Sequence, residues 1–388
     1  MEAFHRDRLT WLLYGMLAWF AYLQATPGLI VPRLREELGF SYSVGGLHVA
    51  AFAAGSVLAG AVSARLDRAL GRTALLWSAA AVMCTGAVLL TVAGAVPATI
   101  GAIGVMGVGG GILLATVQAG LSEHHGENSG VALTEANVAA AASYLLLAGV
   151  LVLVGALHLG WRVALLAALV VPLLAWASNR RTRIGAAASG AVEGRGRLPA
   201  VFWVAALMLM CAVAVEWCVT AWGATFVQQA ASSTPDAAVA VMAGYFVGVL
   251  AGRVLGSRLT HRYDPTMLFA VALGVALVGF AVLWPSSGPV QAAAGLVLLG
   301  VGIGNLFPLG LAVAVGLAPG RSAAASGRVV LMTSTAILLA PLTVGTLADA
   351  TSLKTGLTVI PVLVALAAVA LGVVRRARTR AGTPASAR

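Results

Sequence analysis

Charge is what this sequence has least of. Asp, Glu, Lys and Arg make up 10% of its 388 residues, whereas ordinary soluble domains carry roughly 25%. So few charges cannot cover a water-facing surface, which excludes the two or three soluble domains that the length alone would suggest. Cysteine is equally sparse. Cys84, Cys211 and Cys218 all fall in apolar stretches and read as packed or lipid-facing thiols. Cys211 and Cys218 share a helix face, but nothing nearby completes a metal-binding set. Proline-rich runs are lacking, and the 46 glycines follow no collagen or linker pattern; glycine is simply common in membrane helices. No small-residue cleavage site ends the first apolar stretch, so a cleavable leader is not expected.

What is present is apolar: 60% of the residues, with a mean hydropathy of +0.96. A membrane span needs about 20 mostly apolar residues. Twelve such stretches are expected, near 10–31, 43–65, 73–94, 98–121, 129–156, 162–178, 200–227, 238–259, 266–284, 290–317, 323–348 and 356–374. The breaks between them are short, apart from an Arg-, Gly- and Ala-rich stretch around 179–199. The reading is an all-α integral membrane protein: a six-helix bundle over 1–178, a linker over 179–199, a second bundle over 200–374, and a disordered tail over 375–388.

The net charge of +11 would suggest nucleic acid if it lay on a soluble basic face. Instead it sits between spans, where it reports orientation. Of the 24 Lys and Arg residues, 18 fall on the face holding the N-terminus and 4 on the other, with Arg253 and Arg328 inside spans. Both termini and the linker are therefore expected to be cytoplasmic, which an even number of spans allows.

The two halves also repeat. Gly107, Gly109 and Gly111 match Gly300, Gly302 and Gly304 at an offset of 193, which also carries Gly55 to Gly248, Arg65-Leu66 to Arg258-Leu259 and Thr73 to Thr266. Two six-span halves related by an axis along the membrane normal form a known transporter architecture.

At this point the chain resembles the major facilitator superfamily over essentially its whole length. Ser63-Ala64-Arg65-Leu66-Asp67-Arg68-Ala69-Leu70-Gly71-Arg72 is similar to that family's loop signature between the second and third spans. It departs from the signature at Ser63, where glycine is usual, and in one extra residue before Gly71. Gly160-Trp161-Arg162 opens the sixth span, and Gly252-Arg253-Val254-Leu255-Gly256-Ser257-Arg258 echoes the loop motif at the end of the eighth. The resemblance implies a gating role for Asp67, Arg68, Gly71, Arg72 and Arg253. It also implies that spans 5 and 8, and spans 2 and 11, pack together, which offers Glu135–Arg253 and Asp67–Arg328 as pairs formed when the cytoplasmic side closes. Two marks of the family's drug–proton antiporters are missing: Gly101–Gly111 holds no arginine, and Ala139–Gly155 no proline.

Charge at membrane depth costs about 2.5–3.5 kcal/mol on insertion scales, so such residues are functional candidates by default. Glu216 stands deep in the seventh span beside Trp217, with Trp222 six residues on. Desolvation disfavours the charged form of a carboxyl, which suits a group that loads and releases a proton; a hydrogen-bonded structural glutamate is the plainer alternative. Glu135, with Asn137 nearby, is related to Arg328 by the offset of 193, as partners across a cavity would be, or as static helix ties. Gln24 precedes Pro27, where a kink frees backbone groups, and Asn305 adjoins the glycine run of span 10. Gln118 is a softer candidate, and His48 reads as a packing histidine. The glycine runs read as close helix packing; as phosphate loops they lack a following lysine.

The expectation is a secondary transporter of a small organic solute, coupled to protons and working by rocking of two bundles about a midplane cavity. It needs no cofactor or metal, binds no nucleic acid, and sits as a monomer in the cell membrane's lipid bilayer. An exporter of amphipathic drugs or metabolites and an uncoupled facilitator are the alternatives. Convergence of Gln24, Trp222 and Asn305 would favour a polar solute, and apolar walls an amphipathic one. An intramembrane enzyme is disfavoured, because no catalytic set sits at matched depth and His124-His125 beside Glu123 fit no zinc spacing.

Overall fold

The computed structural model describes residues 4–185, 197–319 and 321–382. Ten stretches are long and apolar enough to cross a membrane. One of them, Val96–Ala156, holds two helices joined by a single 3-10 turn, and a 31-residue N-terminal helix brings the crossing helices among the described residues to twelve. They are α1 (Arg8–Leu38), α2 (Tyr42–Leu70), α3 (Arg72–Val92), α4 (Val96–His125), α5 (Ser129–Ala156), α6 (Arg162–Asn179), α7 (Ala200–Ala230), α8 (Pro235–Leu259), α9 (Pro265–Leu283), α10 (Pro289–Gly316), α11 (Ser322–Ala350) and α12 (Val359–Gly382). At 1.5 Å per residue, the 31 residues of α1 and of α7 are long enough to span a bilayer with turns to spare.

Local chemistry sets the boundaries. Side chains of Asp7, Ser41, Thr234 and Asp264 accept from backbone N–H groups in the first turns of α1, α2, α8 and α9, and Pro235 and Pro265 follow two of them. Gly39, at φ +65°, closes α1 in the left-handed conformation that glycine adopts without strain. Asp7 is also bound by His124 at 2.8 Å. Burial pushes the Asp7 carboxyl up, but donors from Thr10 and His124 outweigh it and hold it below the usual carboxylate range. The stability this cap contributes is thus present at neutral pH and lost as the pH falls through that lowered value.

The repeat holds at the level of atoms. A Cβ on Gly107 would meet the Phe52 carbonyl, and one on Gly300 the Tyr245 carbonyl; both pairs are related by 193. Gly55 lies against the Gly104 carbonyl as Gly248 lies against that of Val297, and Gly109 against Ala79 and Met83 as Gly302 against Ala272 and Ala276. These are close helix crossings that a side chain would block. Each half is therefore the same six-helix bundle, α1–α6 and α7–α12. Across the halves α1 packs on α7, α2 on α11 and α5 on α8. A Cβ on Gly28 would run into the Thr220 carbonyl and the Ala221 Cα, and Ala221 is the 193-offset mate of Gly28. The pseudo-symmetry axis passes by this crossing.

Two expectations about the chain's connections change. The stretch read as a disordered tail is helical from Arg375 through Gly382, because alanine and arginine extend α12 beyond the apolar region and Arg378 reaches Asp264 at 3.5 Å. Residues 383–388 lie outside the described residues, as do 186–196 of the expected linker. The linker's described start docks on the first half, with Ile184 buried and its N–H donating to Thr73 Oγ1 at 2.9 Å.

Candidate functional site: a cleft between the two halves

The halves meet most firmly on the face away from the termini. Asp349 of α11 accepts from the Tyr42 and Ser43 N–H groups at 2.8 and 2.7 Å, so a carboxylate of one half caps a helix of the other. Arg33 of α1, nearly buried, pairs with Asp236 of α8, and Gln228 donates to Glu36 at 2.6 Å. Trp222 lies fully buried with its ring against Gly45 and Gly345, its Nε1 donating to the Pro341 carbonyl at 3.0 Å. We expect Asp349→Asn, which leaves one acceptor where there are two, to weaken this closure by about 1 kcal/mol. That is roughly fivefold in the closed-to-open ratio, readable as longer spin-label distances between the α5–α6 and α7–α8 loops.

Towards the N-terminal face the interface opens. Neither ion pair expected there is formed. Glu135 instead takes two hydrogen bonds from Arg6, at 2.8 and 2.5 Å, and one from Tyr14 Oη at 3.2 Å, all within the first half. Arg6, outside the spans, has the better geometric reach, and Glu135 therefore anchors the N-terminus to α5 rather than facing its repeat mate. Arg328 is exposed and makes no hydrogen bond or ion pair among the described residues. Arg253 donates to the Asn137 carbonyl at 2.9 Å across the α5–α8 contact, while the Asn137 side chain bonds its own helix at Leu133.

The loop-motif residues form a cluster inside the first half. Gly71 turns the chain at φ +78°, and the extra residue before it is absorbed by α2 continuing to Leu70. Arg72, 4% exposed, donates to Glu123 at 2.5 and 3.2 Å and to Asp67 at 2.9 Å, tying α2, α3 and α4 together. Arg68 is exposed. Removing the buried guanidinium leaves two carboxylates facing each other, so Arg72→Ala is expected to destabilise the protein by about 2 kcal/mol, tempered by the partial exposure of both acids. A lowered melting temperature in detergent checks this.

At mid-depth, between α1, α5, α7 and α8, lies a cleft lined by Gln24, Ala25, Tyr144, Glu216, Trp217, Thr220, Tyr245, Phe246 and Val249. It is narrow, about 10 Å³ and room for one water-sized sphere. Glu216 is half-buried, the seventeenth of the 31 residues of α7, and its carboxyl makes no hydrogen bond or ion pair among the described residues. Around it, Tyr144 Oη reaches Gln24 Oε1 at 3.5 Å, and the Phe246 ring lies 5.4 Å from Tyr144 and 5.3 Å from Tyr245. The Tyr245 hydroxyl is buried with no well-formed hydrogen bond among the described residues; the Thr220 hydroxyl nearest it donates instead to the Glu216 carbonyl at 2.8 Å. An acid and an unsatisfied phenol facing one water-sized space are groups that can take up, hold and pass on a proton.

Of the expected site residues, then, the fold brings Gln24 to Glu216 but not Trp222 or Asn305. Asn305 sits at a break in α10, where its amide donates to the Gly252 carbonyl of α8 beside Gly256, a helix-to-helix tie. His48 is buried between the Val44 carbonyl at 2.7 Å and Thr99 Oγ1 at 2.8 Å, a packing residue. Tyr144, Tyr245 and Phe246 were not anticipated. Their signal was available: Tyr245 is the offset mate of Phe52, a phenol where the other half has a plain ring.

The sequence matches the Major Facilitator Superfamily over residues 10–292 and, overlapping, 205–388. No curated protein matches it. Among solved structures it is similar to a bacterial homologue of the human lysosomal transporter Spinster, inward-facing and unoccupied, with a TM-score of 0.76 at 14% identity over 98% of this chain and 99% of that one. A D-xylose–proton symporter gives 0.75 at 15% identity, over 93% and 96%. The nucleoside transporter NupG gives 0.72 at 13% identity, over 95% and 99%. At these identities the likeness is one of fold. With the family match spanning both bundles, the chain belongs to the major facilitator superfamily of membrane transporters.

Proposed function

We propose that the chain is a proton-coupled carrier of a small organic solute, in which Glu216 carries the proton and the two bundles rock about the α1–α7 crossing to expose the central space alternately to each side. The observation that carries this is the carboxyl of Glu216 at mid-depth, unpaired among the described residues, in a cleft wide enough for water. An ionisable group that ties nothing together has no structural return for its cost in the membrane. The closed far face and looser N-terminal face support an inward-facing state, given cytoplasmic termini, as the distribution of Lys and Arg implies. The chain would act as a monomer in the cell membrane and catalyse no chemical conversion.

A second reading, export of an amphipathic solute, draws on one observation: apart from Gln24, Glu216 and Thr220 the cleft walls are Tyr, Trp, Phe, Val and Ala, while the amide of Asn305 and the ring of Trp222 face elsewhere. A thermal-shift screen of polar and amphipathic solutes on purified protein, followed by counterflow in proteoliposomes, separates the two. The proton-coupled reading requires that an imposed pH gradient drive accumulation of the solute so found. Transport indifferent to that gradient would sink it.

A further inference from the structure

α12 runs further than its bundle needs. Asn179 ends α6; its mate at the offset of 193 is Gly372, and α12 continues ten residues beyond that, to Gly382. The added turns carry arginine. Exposed Val362, Leu366, Val369 and Val373 mark one face of α12, spaced four, three and four residues apart as a single helical stripe requires. Three residues after Val373 the same stripe reaches Arg376, which is also exposed. On the opposite face Arg378 reaches Asp264, the residue that caps α9, at 3.5 Å. That pair sets the loop ahead of α9, with Arg262 and Tyr263, beside the end of α12. Arg258, Arg262, Arg375 and Arg376 are exposed and make no hydrogen bond or ion pair among the described residues. Across 258–264 and 375–378, five arginines face one carboxylate, Asp264. Aromatic residues fix the depth. Trp203 at the start of α7 and Tyr263 ahead of α9 are exposed, and α7 and α9 are the helices on which α12 packs. Exposed Trp and Tyr mark the headgroup level of a bilayer. The stripe on α12 thus passes from valine to arginine where acyl chains give way to headgroups.

We propose that this corner, between the end of α12 and the start of α9, is a binding site for an anionic phospholipid. Arg376 holds the phosphate, with Arg375 and Arg262 alongside, and an acyl chain lies along Val373 and Val369. Three physical reasons converge on that occupant. The guanidinium fork matches phosphate oxygens in bidentate geometry, which an ammonium cannot do. Five arginines against one carboxylate leave four positive charges at the membrane surface, and basic clusters just outside a span attract anionic headgroups. The apolar stripe adjoining Arg376 favours a lipid over a free anion, because one molecule then meets both the arginine and the valines. A bound headgroup also relieves repulsion among the arginines and ties α12 to α9 more firmly than the single, half-exposed Arg378–Asp264 pair does. Occupancy therefore stabilises the second bundle. None of this depends on the role of Glu216.

The test uses full-length protein, stripped of co-purified lipid in a neutral detergent and titrated with phosphatidylglycerol or with phosphatidylcholine. Native mass spectrometry counts the lipid bound. The parent should take up phosphatidylglycerol in preference to phosphatidylcholine. Arg375→Gln combined with Arg376→Gln should weaken phosphatidylglycerol binding about twenty-five-fold, about fivefold for each arginine. Glutamine matches arginine in helix propensity, so α12 should stay folded; a melting temperature equal to the parent's in lipid-free detergent checks this. Arg375→Lys combined with Arg376→Lys, which keeps the charge, should retain most of the affinity. Arg180→Gln combined with Arg181→Gln removes the same charge from the same face, at the exposed end of α6, and should leave the affinity close to the parent's. Unchanged binding in the Arg375→Gln, Arg376→Gln protein overturns the site. An equal loss in the Arg180→Gln, Arg181→Gln protein also overturns it, by reducing it to general attraction between a basic face and an anionic lipid. Inorganic phosphate that displaces the lipid at equal concentration would make the corner a site for a free anion and overturn the lipid assignment.

Discussion

Glu216→Gln should abolish accumulation against a gradient while sparing exchange. One pH unit is worth 1.36 kcal/mol per proton, so a carrier coupled to one proton concentrates its solute up to about tenfold under that gradient. The variant should reach no more than equal concentrations on the two sides. Counterflow needs no net proton movement and should persist, since glutamine keeps the shape of a protonated glutamate and the parent carboxyl has no hydrogen bond among the described residues whose loss would disturb α7. Loss of both activities would instead make Glu216 part of the solute's own binding. Gradient-driven accumulation at the parent level would remove it from the mechanism.

The second large effect belongs to a glycine. Gly28→Val places side-chain atoms where the Thr220 carbonyl and the Ala221 Cα now lie, at the crossing of α1 and α7 about which the halves would rock. Overpacking a tight contact costs typically 1–3 kcal/mol. Here that cost can be relieved by driving the helices apart. Since 1.4 kcal/mol is a factor of ten, the balance should move about tenfold or more away from the arrangement closed on the far face. Spin-label distances between the α5–α6 and α7–α8 loops should lengthen and counterflow should slow by a similar factor. Gly149→Val, at a position with open space around it, is the control and should change neither.

Why were the helices so legible and the cleft only partly so? Hydropathy reads the span, and the bilayer enforces it: unpaired backbone groups have nowhere else to go, so apolar stretches of this length must be helical. The offset of 193 was visible because helix-to-helix contact at backbone distance admits only glycine, and both halves need the same contacts at Gly55, Gly107 and Gly109 and at their mates. Glu216 stood out for the same kind of reason, as a charge where charge is costly. What pattern reading misses is direction. Asn305 and Trp222 look like cavity residues by depth and type, yet each points into another helix, because a buried amide or indole N–H must find an acceptor and the carbonyls of Gly252 and Pro341 were closer than the cavity. Glu135 and Arg328 are related by symmetry, and symmetry suggested they face each other. In this state Arg6, from the segment ahead of α1, reaches Glu135 instead, and a short arm at the end of a chain leaves no periodic trace. The tail was misjudged because its arginines lower hydropathy without lowering helix propensity.

The most direct test of the account is the proton itself. With the solute found by screening, a pH-sensitive dye trapped inside proteoliposomes reports whether adding solute outside moves protons across the membrane. The parent protein should change the internal pH in step with solute, and Glu216→Gln should carry solute by exchange with the dye unmoved. A dye signal of equal size in both proteins would contradict the claim that Glu216, in the cleft between the halves, carries the proton.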